Sequence, residues 1–319
     1  MLSASNADHY TPDWKSLDAR PLPTWYDESK FGVFCNFGVY SVPGIKNEWF
    51  WWYWKSRKDP EVVAFMKRNY RPDLSYADFA PLFTTEFLNA TNFAEIVKQS
   101  GAKYFVLDTK HHDGYTLYPS NYSWNWNAMD VGPHRDIVGE MKEAFKKINH
   151  QFLAWLYNDS PVKDTVVTND RWGKLMPHKW ENAMTLDEGS WGFRRTMTAA
   201  DVLSLHTLIS TLARTVSCGG NMLLNIGPTH DGRIVPIFEE RLRQMGQWIQ
   251  VNGEAIYHAK PWVHQNDTLT KDVWYTPRIH QGGGLRIDFA AIPWHSLPST
   301  TAWVIRLEHL GEDDRDPLQ

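Results

Sequence analysis

Apolar residues along this chain fall into two alternating patterns: short near-continuous runs, and longer stretches with apolar positions three or four apart. Phe31 to Val42, FGVFCNFGVYSV, is of the first kind and predicts a buried strand leading into a glycine-containing loop, with Pro21 and Pro23 punctuating its entry. Thr91 is expected to cap a helix with Phe93, Ile96 and Val97 on one face, ended by Gly101, after which Tyr104 to Asp108 returns as an apolar strand. Asp136 is the next expected cap, before Ile137, Met141, Phe145 and Ile148 at helical spacing. The order repeats downstream. Asp201 precedes a face of Val202, Leu205, Leu208, Ile209, Leu212 and Val216, Gly219-Gly220 interrupts, and Asn221 to Ile226 predicts a strand. Pro236 then opens a helix through Trp248 that stops near Gly253. This alternation predicts an α/β fold with parallel strands, and strand ends rich in Asn, Asp, His and Arg favour a β/α barrel over an open sheet. After Trp262 the pattern changes to short alternating stretches, a QGGG cluster and the acidic GEDDRD, which predict a small β-rich appendage with a frayed tail.

Composition narrows the function. The 319 residues are 42% hydrophobic, enough for a sizeable core, and 33 Lys+Arg against 37 Asp+Glu leave a net charge of -4 with no basic field for nucleic acid. No apolar run reaches the roughly 18 residues of a membrane span, and the polar opening MLSASNADHY carries no signal-peptide core. Cys35 and Cys218 alone make neither a disulfide framework nor a cysteine zinc site, so two buried free thiols are expected. The unusual feature is aromatic: 17 Trp outnumber 15 Phe and 13 Tyr, and indoles with a wet edge suit the stacking walls of a sugar site.

The densest candidate cluster is Lys110-His111-His112-Asp113-Gly114, directly after a predicted strand and therefore on the rim where parallel-strand folds carry their chemistry. Adjacent histidines diverge from an extended backbone, so hydrogen bonding to a polyhydroxylated ligand fits them better than a metal, and no cofactor or metal is expected. Structural histidines bonding nearby backbone are the plainer alternative. Glu48-Trp49 opens EWFWWYW, pairing an acceptor with a stacking ring, although Trp51, Trp52 and Trp54 are expected to pack beneath the barrel. Asp170-Arg171-Trp172 follows Val166-Val167 and presents a carboxylate, a guanidinium and an indole, or a plain ion pair. Glu181 after Trp180 and Asp231-Gly232 are further carboxylates with weaker claims.

Together the segments PDWKSLDARPLPTWYDESKFGVF, EWFWWYW, GAKYFVLDTKHHDGYTLYPSNYSWNWNAMDVGPHRDIV, FLAWLYNDSPVKDTVVTNDRWG, PHKWENAMTLD, SWGFRR, SCGGNMLLNIGP and NGEAIY resemble the retaining α-L-fucosidases of glycoside hydrolase family 29, those of animal tissue and plasma included. The resemblance runs from about Asp13 to about Tyr275. It implies a TIM-type (β/α)8 barrel with a C-terminal β-sandwich, and hydrolysis of terminal α-L-fucose from glycans and glycoproteins by double displacement between two carboxyl groups about 5 Å apart. It also implies that Glu48, Trp49, His111, His112 and Arg171 line a fucose pocket. Domains are expected as a flexible start over 1–12, the barrel over 13–262 and a sandwich remnant with tail over 263–319.

The departures from that family bear on turnover. Asn36-Phe37-Gly38 stands where the family has His-Trp-Gly, so one fucose-contacting imidazole becomes an amide. The helix ending near Ile148-Asn149-His150 runs straight into Gln151, where the family inserts several dozen residues that supply two barrel strands and a Trp-x-Asp-Gly motif carrying the nucleophile. A second, shorter gap lies between Gly173 and Leu175, in the stretch where the family carries its acid/base carboxylate. The expectation is therefore a barrel short of about two strands, with the nucleophile absent and Asp170 and Glu181 as weak substitutes. Three readings stay open: a family hydrolase with little or no turnover, a fucose-binding pseudoenzyme, or a spliced or misassembled product whose sheet edges are unpaired. Partners are fucosylated glycans or L-fucose, with no nucleic acid or membrane and with self-association left open. The resemblance and four sequons, Asn89, Asn121, Asn158 and Asn266, suit a lysosomal or secreted glycoprotein, whereas the polar start suits neither.

Overall fold

Five strands pair side by side. β1 (Phe31–Cys35), β2 (Tyr104–Lys110), β3 (Gln151–Leu156), β4 (Trp180–Thr185) and β5 (Gly220–Ile226) form one parallel sheet in the order β3-β2-β1-β5-β4. In this computed structural model the residues described are 10–156 and 179–276, save 12, 14, 17, 18, 269 and 270, together with Leu175, Ala302 and Val304. β1 is central, its Gly32 opposite Tyr104 of β2 and Leu223 of β5. A strand flanked on both sides and covered on both faces has no wet surface to accommodate, which is why Phe31 to Cys35 carries no polar side chain and is wholly buried.

The helices, in chain order, are α1 (Thr24–Ser29), α2 (Phe50–Lys55), α3 (Pro60–Asn69), α4 (Ala90–Gln99), α5 (Ile137–Lys147), α6 (Leu205–Ser217) and α7 (Pro236–Asn252). One face of the sheet, with Val33, Phe105, Leu107, Met222 and Leu224, joins the main core beneath α4 to α7, and Phe105 lies flat on Phe145 of α5 at 4.2 Å. The opposite face is lined by Phe34, Tyr104, Val106 and Leu223, with Trp25 and Tyr26 packed across it. α7 crosses the end of α4 so closely that a Cβ on Gly246 would sit 1.7 Å from the Gln99 carbonyl oxygen.

Two expected caps move. Asn89, not Thr91, starts α4, its side chain accepting from the Asn92 N–H at 3.0 Å. Asp201 closes a short 3-10 turn over Ala199–Asp201, and Ser204 caps α6 through the Thr207 N–H at 3.1 Å. Asp136 and Pro236 open α5 and α7 as their sequence implies. The fold is thus α/β with a parallel sheet, and among the described residues β3 and β4 are its outer strands. On β3, Trp155 is 39% exposed while packing edge-on to Phe34 at 5.6 Å. Cys35 and Cys218 are buried free thiols. Among the described residues no helix is long and apolar enough to cross a membrane. Of the expected β-rich appendage, an antiparallel bridge joins Asn266 to Trp274, and the glycine cluster and LRIDFA lie outside the described residues.

Candidate active site

The C-terminal ends of β1, β4 and β5 are tied together by amides. Asn36 donates from its backbone N–H and its Nδ2 to Asn225 Oδ1, at 3.1 and 3.0 Å. Asn225 Nδ2 in turn donates to Thr185 Oγ1 at 2.9 Å and to the Trp191 carbonyl at 2.7 Å. Asn36 and Asn225 are buried, so the relay satisfies amide donors that would otherwise be stranded and fixes the loops that leave the sheet at this end.

Those loops carry the candidates. Glu48 precedes α2 and is buried, its Oε2 accepting from the Trp191 N–H at 3.0 Å, the Gly192 N–H at 3.1 Å and, more weakly, the Ser190 hydroxyl at 3.4 Å. The 190–192 turn can present those N–H groups because Gly192 has no side chain: a Cβ there would meet the Tyr40 ring at 2.7 Å. Asp187 and Arg194 clasp its base, through bonds of 2.6 Å from Nε and from Nη2 to the two carboxylate oxygens. Trp49 stacks flat on His112 at 4.4 Å and meets His111 edge-on at 5.8 Å, while His112 Nε2 is 3.3 Å from the Glu48 carbonyl oxygen. Asn36, Glu48, Trp49, His111 and His112 therefore gather at one end of the sheet.

Beneath them lies a set of buried acids, of which the sequence cluster named Asp113 and did not single out Asp108 or Tyr40. Tyr40 packs edge-on to His111 at 5.3 Å. Its hydroxyl and both carboxylate oxygens of Asp108 are buried without a hydrogen bond of good geometry. Burial first, and then the neighbouring Asp113 carboxylate, push the Asp108 carboxyl well above the usual range. Asp113 is also raised by burial, against the opposing Tyr76 hydroxyl, which donates to Oδ2 at 2.7 Å. The signal for this layer was present in the strand Tyr104 to Asp108, an otherwise apolar run that ends on an acid.

Burial, reinforced by His112 and Lys110, depresses the His111 pKa from 6.5 to about 3. The ring is thus a neutral donor and acceptor. Because the unfolded chain takes up this proton near pH 6.5 and the folded chain only near pH 3, His111 leaves stability intact above the first value and erodes it as pH falls toward the second. The expected NMR result is a His111 imidazole resonance that stays flat from about pH 5 to about pH 8; a midpoint inside that interval would contradict the neutral assignment.

Several expectations are corrected. Glu181, offered as a substitute catalytic carboxylate, does not join the cluster: it is the second residue of β4, opposite Asn221 at the start of β5, and so lies at the other end of the sheet. There Tyr104 donates to it at 2.5 Å, and burial raises its carboxyl. Asp170 and Arg171 lie outside the described residues. Trp51 and Trp52 do not pack under the sheet but are 36% and 40% exposed. In a two-turn helix, Phe50, Tyr53 and Trp54 share the inward face by their three- and four-residue spacing, which turns 51 and 52 outward. No group of three His, Cys, Asp or Glu able to hold a metal occurs among the described residues.

Comparison with known proteins fits this architecture. A family model described as α-L-fucosidase matches residues 1–152 and 147–254. An α-L-fucosidase of Branchiostoma floridae is 48% identical, over 87% of this chain and 82% of its own length. The chain belongs to the α-L-fucosidase family. Human plasma α-L-fucosidase is 45% identical to this family member, over 86% of the chain and 78% of the relative. The crystal structure of Thermotoga maritima α-fucosidase in complex with fucose superposes with a TM-score of 0.69 at 29% identity, covering 80% of each chain. The aligned span with the Branchiostoma relative is 366 residues, longer than the 319 residues of this α-L-fucosidase family member itself.

Proposed function

We propose that this α-L-fucosidase family hydrolase recognises the terminal α-L-fucose of glycans and glycoproteins through Asn36, Glu48, Trp49, His111 and His112, joined by Arg171 on the strength of the family resemblance, and that it cleaves the sugar weakly or not at all. The observation that carries recognition is the convergence of an indole face, a neutral imidazole and a buried acceptor at one end of a parallel sheet. Stacking takes the apolar face of a pyranose, while the imidazole and carboxylate take its hydroxyls.

The retaining mechanism belongs to the intact family pattern, which needs two facing carboxyl groups about 5 Å apart. No Trp-x-Asp-Gly motif occurs in the sequence, and Glu181 sits at the wrong end of the sheet. A barrel over 13–262 short of about two strands is supported by the family match falling in two pieces that meet at 147–152 and by an alignment longer than the chain, and the sandwich remnant over 263–319 rests on the sequence resemblance alone. That junction coincides with the three residues between α5 and β3, where Asn149 takes φ 57°. Its abruptness also favours a second reading, a spliced or misassembled product, which sequencing the transcript across His150-Gln151 and Gly173-Lys174 would separate from the first. Relatives named plasma and tissue α-L-fucosidases support a secreted or lysosomal glycoprotein.

Calorimetry with L-fucose tests recognition. The wild-type chain is expected to give saturable heat at millimolar sugar. Glu48→Gln, which sets an amide among the two N–H groups now donating to a carboxylate, is expected to bind at least about tenfold more weakly. No heat from the wild type, or equal affinity in the variant, sinks the assignment.

A further inference from the structure

Asn89 combines two features that the sugar pocket does not use. It heads the sequon Asn89-Ala90-Thr91, and it is exposed beside a polar groove of about 570 Å³ between the start of α4 and α5. Capping α4 occupies only its Oδ1, which accepts from the Asn92 N–H at 3.0 Å, and among the described residues its Nδ2 donates to no other group. Asn266 differs, since its Nδ2 donates to the Asp267 carbonyl at 3.0 Å. Leu88 is buried while Phe87 and Asn89 are exposed, so the ring and the amide emerge on one side. Phe87 is 53% exposed and yet held: its N–H donates to the Asp231 carbonyl at 2.8 Å, and the Arg233 guanidinium covers the ring at 3.7 Å. Arg135 pins the same turn by donating to the Thr85 and Leu88 carbonyls at 2.8 and 3.0 Å. Glu140, Glu143 and Lys147 line the groove on its α5 side.

We propose that Asn89 is an N-glycosylation site, and that the first N-acetylglucosamine of its glycan seats against Phe87 in this groove. The assignment rests on the secreted or lysosomal reading above, which brings the chain to the enzymes that make the linkage. In that step Nδ2 bonds to the anomeric carbon of an oligosaccharide carried on a lipid diphosphate. The bond from that carbon to the diphosphate oxygen breaks, the lipid diphosphate leaves, and Nδ2 gives up one proton. Oδ1 remains an acceptor, so the modified residue still caps α4. A phenyl ring two residues before the linkage takes the C–H face of the pyranose, and the charged groups of the groove take its hydroxyls and acetamide. Because the turn and the guanidinium already fix Phe87, covering it costs little lost freedom.

The test directs the full chain into the secretory pathway of cultured animal cells with an added leader, and maps its glycopeptides by mass spectrometry. Asn89 is expected to be occupied, and Thr91→Ser, which keeps the sequon, to leave it so. Asn89→Asp retains a capping oxygen but abolishes the linkage, and its thermal midpoint is expected to lie about 2 °C below that of the glycosylated chain. With Phe87→Ala placed in both, that gap is expected to close, which a change of charge or cap at residue 89 would not produce. Asn89 bare in a chain that carries sugar at Asn121 or Asn266 overturns the site and leaves the glycoprotein reading standing. A chain without sugar at any sequon overturns both. Occupancy with no gap, or with a gap that survives Phe87→Ala, overturns the seating in the groove.

Discussion

Nitrophenyl α-L-fucoside is expected to release nitrophenol at least about a thousandfold more slowly with this chain than with an intact family member, because on the proposed reading the covalent route has no attacking group. Among the described residues, the carboxylates gathered at this end of the sheet are otherwise engaged. Glu48 accepts from three donors of the 190–192 turn, which holds it as a fixed acceptor. Asp108 and Asp113 are buried, and both are pushed toward their neutral forms, which makes them poor nucleophiles. Glu181 is bonded to Tyr104 at the far end of β4. The measurement is steady-state release of nitrophenol at saturating substrate, with an intact relative run in parallel. A rate within tenfold of that relative would mean that another carboxylate completes the pair, and the proposal of lost turnover would be wrong.

Gly246→Ala is expected to destabilise the fold by at least about 3 kcal/mol, against the roughly 1 kcal/mol gain that alanine usually brings to a helix interior. The opposite signs make the outcome decisive. A methyl group at 246 would lie 1.7 Å from the Gln99 carbonyl oxygen and 2.8 Å from its carbon, so backbone, not a pliant side chain, blocks it. Relief requires α7 to lift away from the end of α4, opening the layer that covers Phe93 and Ile249. Denaturant or thermal unfolding of the purified variant checks this, with a midpoint expected to fall by on the order of 5–10 °C. A rise would show that the two helices have room to separate.

The strands were legible in the sequence because a parallel strand buried on both faces leaves a largely apolar run, as in Phe31 to Cys35 and Met222 to Leu224. Caps were less legible: Asn89 and Thr91 are both acceptable starts for the same helix, and only the backbone decides that Asn89 takes the Asn92 N–H. His111 and His112 could be found from their position after a predicted strand, Glu48 and Trp49 from a carboxylate opening an aromatic run, and Asn36 from the family resemblance. The groups that hold Glu48 could not be found in that way. Its chief partners are backbone N–H groups of Trp191 and Gly192, and main-chain donors leave no residue-type signature. Glu181 misled for a related reason, since a carboxylate in a strand reveals its face through alternation but not which end of the sheet it occupies. Trp51 and Trp52 misled because a run made almost wholly of rings has no polar side by which to orient it.

The amide relay from Asn36 through Asn225 to Thr185 has a physiological corollary. None of its three members gains or loses a proton in any biological fluid, so this end of the sheet keeps the same hydrogen-bond polarity in an acidified vesicle as in neutral serum. At that point the molecule does not sense the acidity of the compartment it occupies.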